Sequence, residues 1–406
     1  MDNKTGDSQD TPPLKGVVVI DLTQIYQGPY ATLLMAKAGA DVVKIEPING
    51  EPSRLRAKVG RGSSLSMLML NTNKKGVTLN LKSEEGRRLL MALVKKADVL
   101  VENYAPGVMD RLGVGWEVLK EVNDRLIYAS GTGYGLSGPD RDRLAMDLTI
   151  QATSGAMSIT GMPDGPPLRA GPAIADFLGG IHLYGAITTA LYRREKTNKG
   201  ALVEVAMQDC LYPTLASNLT FCYNSDGKVP PRVGNRHGGL ALAPYNVYRT
   251  NDGYVAMVCV KEEHWRNLVK AMAAPELLED ERFATNVLRV RNLAEVDRVV
   301  EAWTSSLSKD EIASLAQLHK VPCAPVRDLT EVMNDPHMHQ RGMLERFDDE
   351  DLGEVVLPNS PLNFHGTPRI KSTAMPGLGE HNDEIYSQWL GLAQDELDAL
   401  KTKGVI

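Results

Sequence analysis

The residues with the clearest chemical potential lie around Asp176, in the segment Gly171–Gly180, which reads Gly-Pro-Ala-Ile-Ala-Asp-Phe-Leu-Gly-Gly. A carboxylate in this apolar setting has little water nearby, and the glycines leave room for a ligand beside it. Desolvation raises the free energy of the carboxylate and sharpens it as a nucleophile or base. The alternative is that Asp176 is the N-cap of a helix beginning near Phe177, which is the commoner role when the segment is judged alone.

A second segment, Ser130–Pro139, is rich in glycine and follows a predicted strand. Its glycines allow the backbone to approach a phosphate group or a pantetheine arm closely. The spacing is not Gly-x-Gly-x-x-Gly, and the chain has no Walker A pattern, so a dinucleotide site has little support. The alternative is a loop in which several residues have positive φ angles.

Two further segments carry groups suited to an anionic nucleotide. Lys74, Lys75 and Lys82 surround a predicted strand, and such a cluster can hold an anion, although a solvated face is the commoner explanation. At the end of another strand, Asn103 can bind the edge of a base or an amide, and Arg111 can pair with a phosphate.

Several separated motifs follow one another along the chain. They are Val101-Glu-Asn-Tyr-x-Pro-Gly, Ser130-x-Thr-Gly-Tyr-Gly-x-Ser-Gly-Pro, Ala175-Asp-Phe-x-Gly-Gly, Val205-Ala-Met-Gln-Asp209, Asn334-Asp-Pro-His and Leu378-Gly-Glu-His381. With these motifs in this order, the chain resembles the family III CoA-transferases and their relatives, the α-methylacyl-CoA racemases. The resemblance extends from about Leu14 to Leu390 and includes the formyl-CoA:oxalate and succinyl-CoA:dicarboxylate transferases.

The resemblance implies a set of site residues. Asp176 matches the nucleophilic aspartate of the family. Residues that match segments holding the CoA nucleotide are Leu79, Asn80, Leu81, Lys82, Asn103, Tyr104, Ala105 and Arg111, and we add Lys74, Lys75 and Tyr134 to the substrate-binding set. Tyr26, Gln27 and Asp147 match residues lining the thioester pocket, and Gly238-Gly239 matches a mobile glycine loop over the active site.

The chain departs from the family pattern at three places. The formyl-CoA enzymes carry glutamine at the position of Tyr26, whereas here glutamine follows one residue later, at Gln27, and the glycine loop is shorter. Both differences weaken an assignment to formyl-CoA and oxalate. Pro47 replaces an arginine that contacts CoA in the family, so Arg54 or Arg56 is expected to compensate.

The resemblance leaves three classes of function to compare. A racemase needs a His-Asp pair as its second base, and here that position reads Met146-Asp147. Methionine carries no proton at neutral pH, and His182 is expected to be a core residue of the helix after Asp176. A transferase is therefore favoured over a racemase, and over a catalytically silent CoA-binding protein because Asp176 and the glycine loop are intact.

For a transferase of this family, the resemblance implies that Asp176 forms aspartyl anhydride and aspartyl-CoA thioester intermediates. CoA would move from a succinyl-CoA-like donor to a carboxylic acid. Arg236 and His237 precede the glycine loop, so Arg236 is expected to bind the second carboxylate of a dicarboxylic acceptor.

Composition limits the partners. The 406 residues carry a net charge of −6 without a basic stripe, so nucleic acid is not an expected partner. We expect no apolar run to approach the ~20 residues that a membrane span needs. The four cysteines are far apart, so we expect reduced thiols in a cytoplasmic protein, with neither a metal site nor a permanently bound cofactor.

The order of elements predicts how the site is held together. Short β-branched strands alternate with helices from Val17 to Ser130, which predicts an α/β fold with a parallel sheet. Ligands bind beyond the carboxyl ends of such strands. We expect a polar tail (1–13), a Rossmann-like CoA-binding domain (14–224), a smaller α+β domain (225–330), and a linker with a return to the large domain (331–406). By resemblance, the ring-shaped chain would interlock with a second copy in a homodimer.

Overall fold

The structure is a computed structural model that describes residues 11–55, 64–228 and 232–406. The chain divides into two compact units. The first unit comprises Met1–Ser154, Gly171–Leu211 and Asp335–Ile406, and the second comprises Gly155–Ala170 and Tyr212–Asn334.

A six-stranded parallel sheet forms the centre of the first unit, with the strand order β3-β2-β1-β4-β5-β6. Its strands are β1 (Val18–Asp21), β2 (Asp41–Glu46), β3 (Lys75–Thr78), β4 (Val99–Glu102), β5 (Ile127–Thr132) and β6 (Ala201–Ala206). The predicted α/β class with a parallel sheet is confirmed. β3 begins two residues earlier than the predicted Val77 and ends at Thr78.

The remaining strands are β7 (Tyr245–Arg249), β8 (Tyr254–Val258), β9 (Cys323–Pro325), β10 (Leu344–Asp349) and β11 (Gly353–Pro358). The helices are, in chain order, α1 (Gln27–Lys37), α2 (Pro52–Leu55), α3 (Leu65–Asn71), α4 (Glu84–Val94), α5 (Val108–Arg111), α6 (Trp116–Val122), α7 (Asp147–Thr153), α8 (Ala156–Ile159), α9 (Ile174–Thr197), α10 (Met207–Leu211), α11 (Ala216–Asn224), α12 (Glu262–Ala271), α13 (Asn286–Arg291), α14 (Leu293–Thr304), α15 (Lys309–Leu318), α16 (Leu329–Met333), α17 (Pro336–Gln340), α18 (Asn382–Leu390) and α19 (Gln394–Thr402). Short 3₁₀ helices occupy Tyr212–Leu215, Pro275–Leu278 and Glu281–Phe283.

Both faces of the parallel sheet are buried. Successive residues of a strand point to opposite faces, so Ile20 packs with Leu90 of α4 on one face, whereas Val19 packs with Met35 and Leu183 on the other. This alternation explains why the strands are almost continuously apolar in sequence.

The C-terminal segment is hydrogen-bonded to the end of β3 and to the residues that follow it. Asn382 Oδ1 accepts a hydrogen bond from the Thr78 N–H at 2.8 Å, and the Asn80 N–H donates to the Val405 carbonyl at 2.8 Å. The hairpin of β10 and β11 also belongs to the first unit. The second unit is built on the antiparallel sheet β7-β8-β9, with a core that includes Tyr248 and Trp265. Ring closure and the interlocked homodimer stay predictions.

One described helix, α9, is long and apolar enough by length and composition to cross a membrane. The expectation that no such segment exists is therefore corrected. Leu183 and Ile187 of this helix are fully buried in the cluster that covers the sheet, which is the packing of a core helix.

Candidate active site

The first turn of α9 carries Asp176. The helix begins at Ile174 after the Gly171-Pro172 turn, with Ala173 as its N-cap, so Asp176 is the third residue of the helix. Asp176 is therefore not the N-cap, and that alternative is wrong. Its half-buried carboxylate lies where the positive end of the helix dipole favours negative charge.

Asp147, at the start of α7, fixes the beginning of α9. Its Oδ1 accepts a hydrogen bond from the Ala175 N–H at 2.8 Å, and its Oδ2 accepts one from Gln151 Nε2 at 2.7 Å. Both carboxylate oxygens are thus engaged within the protein. Asp147 holds the backbone immediately before Asp176, and Met146 lines the cavity described next.

A cavity of about 410 Å³ lies beside Asp176, within the first unit. It opens at the carboxyl ends of β1, β4 and β5, as expected for a parallel sheet. Its lining residues are Gln24, Ile25, Gln27, Asn103, Tyr104, Ala105, Pro106, Gly131, Thr132, Gly133, Arg141, Arg143, Leu144, Ala145, Met146, Asp176 and Met207. The cavity thus brings together five of the predicted residues, namely Gln27, Asn103, Tyr104, Ala105 and Asp176.

Gln27 is the polar group most deeply set in this wall. Its side chain is only 3 % exposed, and its Nε2 has no hydrogen-bond partner among the described residues. A Cβ at Gly131 would lie 3.0 Å from the Gln27 carboxamide carbon, and one at Gly179 would lie 2.8 Å from Nε2. These two glycines therefore make the space in which the amide sits, and the amide retains two donors for a ligand.

Tyr26 is placed differently. Its ring lies 6.2 Å from the ring of Phe177, and Tyr30 lies 4.8 Å from the same ring. Tyr26 thus packs against the residue that follows Asp176.

The Asn103 side chain, predicted to bind the edge of a base or an amide, has two hydrogen bonds within the protein. Asn103 Oδ1 accepts from the Gln24 N–H at 2.8 Å, and Asn103 Nδ2 donates to the Gln24 carbonyl at 2.9 Å. The amide is therefore used to hold the loop after β1. The side chain of the neighbouring Tyr104 is hydrogen-bonded to Gln24. Burial raises the pKa of the Tyr104 hydroxyl to about 12.

Lys74 and Lys75, which were predicted to bind substrate, both have acidic partners within the protein. The buried Lys74 ammonium lies 3.0 Å from Asp21 Oδ2 and 2.9 Å from Thr32 Oγ1. Burial lowers the pKa of Lys74 to about 8, although Asp21 opposes the change. Burial would raise the pKa of Asp21, but the attraction of Lys74 and Lys44 outweighs it and holds that pKa well below the ordinary value. Lys75 is the first residue of β3 and lies opposite Val43 of β2.

Lys75 Nζ pairs with Glu384 of α18 at 3.0 Å. Arg54 is committed as well, since its Nε and Nη2 lie 3.0 and 2.6 Å from the carboxylate oxygens of Glu46. It is therefore not available in place of the arginine missing at Pro47, and Arg56 lies outside the described residues.

The segment after β3 keeps one exposed cation. Leu79 is buried, and Asn80 bonds to the C-terminal segment through its N–H and its side chain. Leu81 is half-buried, whereas Lys82 is exposed. Arg111, on α5, is also exposed, so Lys82 and Arg111 are the predicted nucleotide contacts that present their charge to solvent. The Tyr134 hydroxyl lies 3.4 Å from Thr153 Oγ1.

In the second unit, Arg236 is already paired. Its Nε and Nη2 lie 2.8 and 2.7 Å from Asp297 Oδ2, and the Tyr248 hydroxyl donates to Asp297 Oδ1 at 2.8 Å. The Arg236 guanidinium thus serves an internal network, and its binding of the acceptor stays a prediction.

The glycine turn of the second unit is tightly packed. His237 Nδ1 accepts from the Gly239 N–H at 3.2 Å, and the His237 ring meets Tyr245 edge to face at 5.3 Å. A Cβ at Gly238 would lie 2.7 Å from Asn218 Oδ1, so a larger residue there would require the Asn218 side chain to move.

Two arginines of the cavity were missed in the sequence. Arg141 and Arg143 line the Asp176 cavity and are largely exposed, and they pair with Asp142 at 3.3 Å and Asp140 at 3.1 Å, respectively, within the run Asp140-Arg-Asp-Arg. The alternating charges of this run, directly after the glycine-rich segment, were the available indication.

A larger, open depression of about 810 Å³ runs along the outer face of α9 and β6. It holds His182, which is exposed and bonds through Nδ1 to the Leu178 carbonyl at 2.8 Å. His182 is therefore not the core residue that was expected. None of the predicted site residues lines this depression.

Comparisons with known proteins agree with the motifs. The family model described as CoA-transferase family III matches residues 14–382. The formyl-CoA:oxalate CoA-transferase of Streptomyces coelicolor is 37% identical over 412 residues, covering 97% of this chain and 99% of the relative. The beta subunit of the succinyl-CoA–L-malate CoA-transferase of Chloroflexus aurantiacus is 34% identical over 401 residues, covering 98% of each.

Among solved structures, a CAIB/BAIF family protein from Brucella suis superposes with a TM-score of 0.82 at 33% identity, covering 94% of this chain and 100% of that one. The family and the enzyme class predicted from the sequence are thus confirmed: the chain belongs to CoA-transferase family III and is an acyl-CoA:carboxylate CoA-transferase.

Proposed function

We propose that this protein moves CoA from a succinyl-CoA-like donor to a dicarboxylic acid, with Asp176 as the covalent nucleophile. The observation that carries the proposal is the cavity that is lined by Asp176, by Gln27, whose Nε2 has no hydrogen-bond partner among the described residues, and by Arg141 and Arg143. A nucleophile, a hydrogen-bond donor and two cations are thus gathered around one space.

The reaction begins when an Asp176 oxygen attacks the donor thioester carbon. The C–S bond breaks, CoA thiolate leaves, and a mixed anhydride joins the acyl group to Asp176. The thiolate then attacks the aspartyl carbonyl, which releases the donor acid and gives an aspartyl-CoA thioester. The acceptor carboxylate displaces the thiolate to form a second anhydride, and the thiolate attacks its acceptor carbonyl, which regenerates Asp176.

Two features of the site suit these steps. Each tetrahedral intermediate carries an oxyanion, which a small rotation of the Gln27 side chain would bring within reach of the Nε2 donors, since Nε2 has no hydrogen-bond partner among the described residues. Asp176 leaves as a carboxylate in the last step, and the start of α9 favours that charge. Retaining the thiolate beside the anhydride corresponds to effective molarities of up to about 10⁵–10⁸ M in favourable cases.

The dicarboxylic acceptor is supported by the cavity and by the relatives. Oxalate and L-malate, which occur in the names of the two curated relatives, are both dicarboxylic acids. One carboxylate must reach Asp176, so a second one can pair with Arg141 or Arg143 in place of their present partners Asp142 and Asp140, which are exposed. These arginines take the role that the sequence gave to Arg236.

A racemase is less well supported. None of the described residues that line the cavity is a histidine, and the side chain at the position of the second base is Met146. We propose further that Lys82 and Arg111 contact the CoA phosphates, that no cofactor is permanently bound, and that the enzyme works as a cytoplasmic homodimer.

The test is to incubate the protein with succinyl-CoA, acetyl-CoA or formyl-CoA, to trap with hydroxylamine, and to map the modified peptide by mass spectrometry. We expect modification of Asp176 and transfer to dicarboxylic acids, both abolished by Asp176→Asn while CoA binding remains. Turnover of Asp176→Asn within about tenfold of the parent would refute the covalent route, because tenfold is only about 1.4 kcal/mol of barrier.

A further inference from the structure

Ile25, in the wall of the Asp176 cavity, has a left-handed backbone conformation. Its φ is 68°, a region that isoleucine avoids because its branched Cβ crowds the backbone. Such a conformation persists only where the surrounding structure holds it in place, and it concentrates at functional sites.

The group that holds Ile25 is the carboxylate of Glu51. Glu51 Oε2 accepts a hydrogen bond from the Ile25 N–H at 3.0 Å. The other oxygen, Oε1, lies 3.4 Å from Lys44 Nζ, and both side chains are almost completely buried. Lys44 Nζ in turn donates to the Thr23 carbonyl at 2.9 Å. The buried ion pair of Lys44 and Glu51 thus holds the loop at Thr23 and at Ile25, on both sides of Gln24.

This ion pair is anchored in the sheet. Lys44 belongs to β2, and the backbone N–H of Glu51 donates to Glu46 Oε2, at the end of the same strand, at 3.1 Å. Asn103, from the end of β4, holds Gln24 through two hydrogen bonds. The loop is therefore fixed from two strands, and it leads directly into Gln27 at the start of α1.

We propose that Glu51 is a positioning residue for CoA transfer, which acts through the backbone of Ile25. By holding the loop 23–27 in its strained conformation, Glu51 sets the Gln27 amide in the wall of the Asp176 cavity. Lys44 orients the Glu51 carboxylate for this task. The proposal rests on the proposed function of the Asp176 cavity.

A double-mutant cycle tests it, with kcat and KM measured for transfer from succinyl-CoA. Glu51→Ala is expected to lower kcat about tenfold to hundredfold, with a smaller change in KM, since misplacing a catalytic group costs on that order. Glu51→Gln keeps an acceptor oxygen and should lose less. In an Ile25→Gly background, Glu51→Ala should cost no more than about threefold, because glycine adopts this conformation without a side-chain clash.

The matched control is Asp98→Ala. Asp98 also accepts a hydrogen bond from a strand backbone, that of Val18 at 2.8 Å, and pairs with Arg194 at 2.8 Å, but it precedes β4 at the amino edge of the sheet. Any loss caused by Asp98→Ala should be the same with Ile25 and with Ile25→Gly.

The outcomes separate the two proposals. A parent protein that transfers no CoA from any of the three donors would refute the proposed function, and the role of Glu51 with it. A parent that transfers CoA, with a Glu51→Ala loss that is absent or is equal in the Ile25→Gly background, would refute the role of Glu51 alone. Should Glu51→Ala not fold, the double variant Lys44→Met/Glu51→Met removes both charges and enters the same cycle, with the same two outcomes.

Discussion

The Asp147 carboxylate accepts a hydrogen bond from the backbone N–H of Ala175, one residue before Asp176, at 2.8 Å. The residue that the family resemblance assigned to the thioester pocket thus restrains the helix turn that carries the proposed nucleophile. Its effect on transfer is expected to pass through the position of Asp176.

Replacing Asp147 tests that restraint. Asp147→Ala leaves the start of α9 without this acceptor, so we expect a stability loss of about 1 kcal/mol, as for a lost helix cap, and a lower kcat. Asp147→Asn retains an acceptor oxygen and should preserve most of both. Thermal melts and steady-state transfer measure the two effects, and equal activity in Asp147→Ala and the parent would contradict the expectation.

The Gln27 amide should matter to chemistry more than to folding. Gln27→Met has a similar length but no N–H donor, and loss of one oxyanion donor typically lowers kcat about 10²–10³-fold. Stability should hold or rise, because a buried unpartnered amide is removed. Gln394→Met on α19 is the control. A destabilised Gln27→Met variant with normal kcat would show that the amide serves the fold instead.

The two candidate arginine sites give opposite predictions. Arg143→Ala should reduce kcat/KM for succinate relative to butyrate by about tenfold, as one charge-assisted contact is lost. Arg236→Ala should leave that ratio unchanged and lower Tm, because Asp297 and Tyr248 lose their partner. A changed ratio in Arg236→Ala alone would return acceptor binding to the second unit.

Glu102, at the end of β4, predicts a pH dependence of stability. Burial raises the pKa of its carboxyl from 4.5 to about 7, in spite of hydrogen bonds from Ser130 and the Tyr104 backbone. The stabilising contribution of the protonated form is complete below pH 4.5 and is lost as the pH rises through 7.

At about 1.4 kcal/mol for each pH unit, the loss amounts to about 3 kcal/mol. Glu102→Gln stays neutral, so its free energy of unfolding should fall less between these pH values. Urea titrations at several pH values compare the two proteins, and parallel pH profiles would show that Glu102 is not the group responsible.

The alternation of strands and helices was predictable because each strand is a short β-branched run bounded by turn residues. The positions of the lysine side chains, buried or exposed, were not predictable. Lys74 and Lys82 belong to the same basic segment, yet Lys74 enters the core beside Asp21, whereas Lys82 lies in solvent past the carboxyl end of β3. Lys74 is buried because it meets Asp21, which is distant in sequence, and the local pattern does not show that partner.

Pairings across long stretches of sequence were equally hidden. Arg236 pairs with Asp297, which belongs to a helix distant in sequence. The Asn103 amide is hydrogen-bonded to the backbone of Gln24, which lies in the loop after β1. Local patterns identify groups able to bind a ligand, but they do not show whether the fold has already supplied a partner. The motif around Asp176 was informative because its glycines and apolar neighbours describe the surroundings as well as the group.

Asp176 sits in the first turn of a 24-residue helix whose body is built into the core of the first unit. The carboxylate is thus attached to a helix whose inner face packs against the sheet. In the proposed cycle, the CoA thiolate would move between two carbonyl carbons while Asp176 remains on that helix. Under that proposal, the length and flexibility of the CoA arm, and not movement of the Asp176 side chain, would determine how the thiolate reaches both carbonyl carbons.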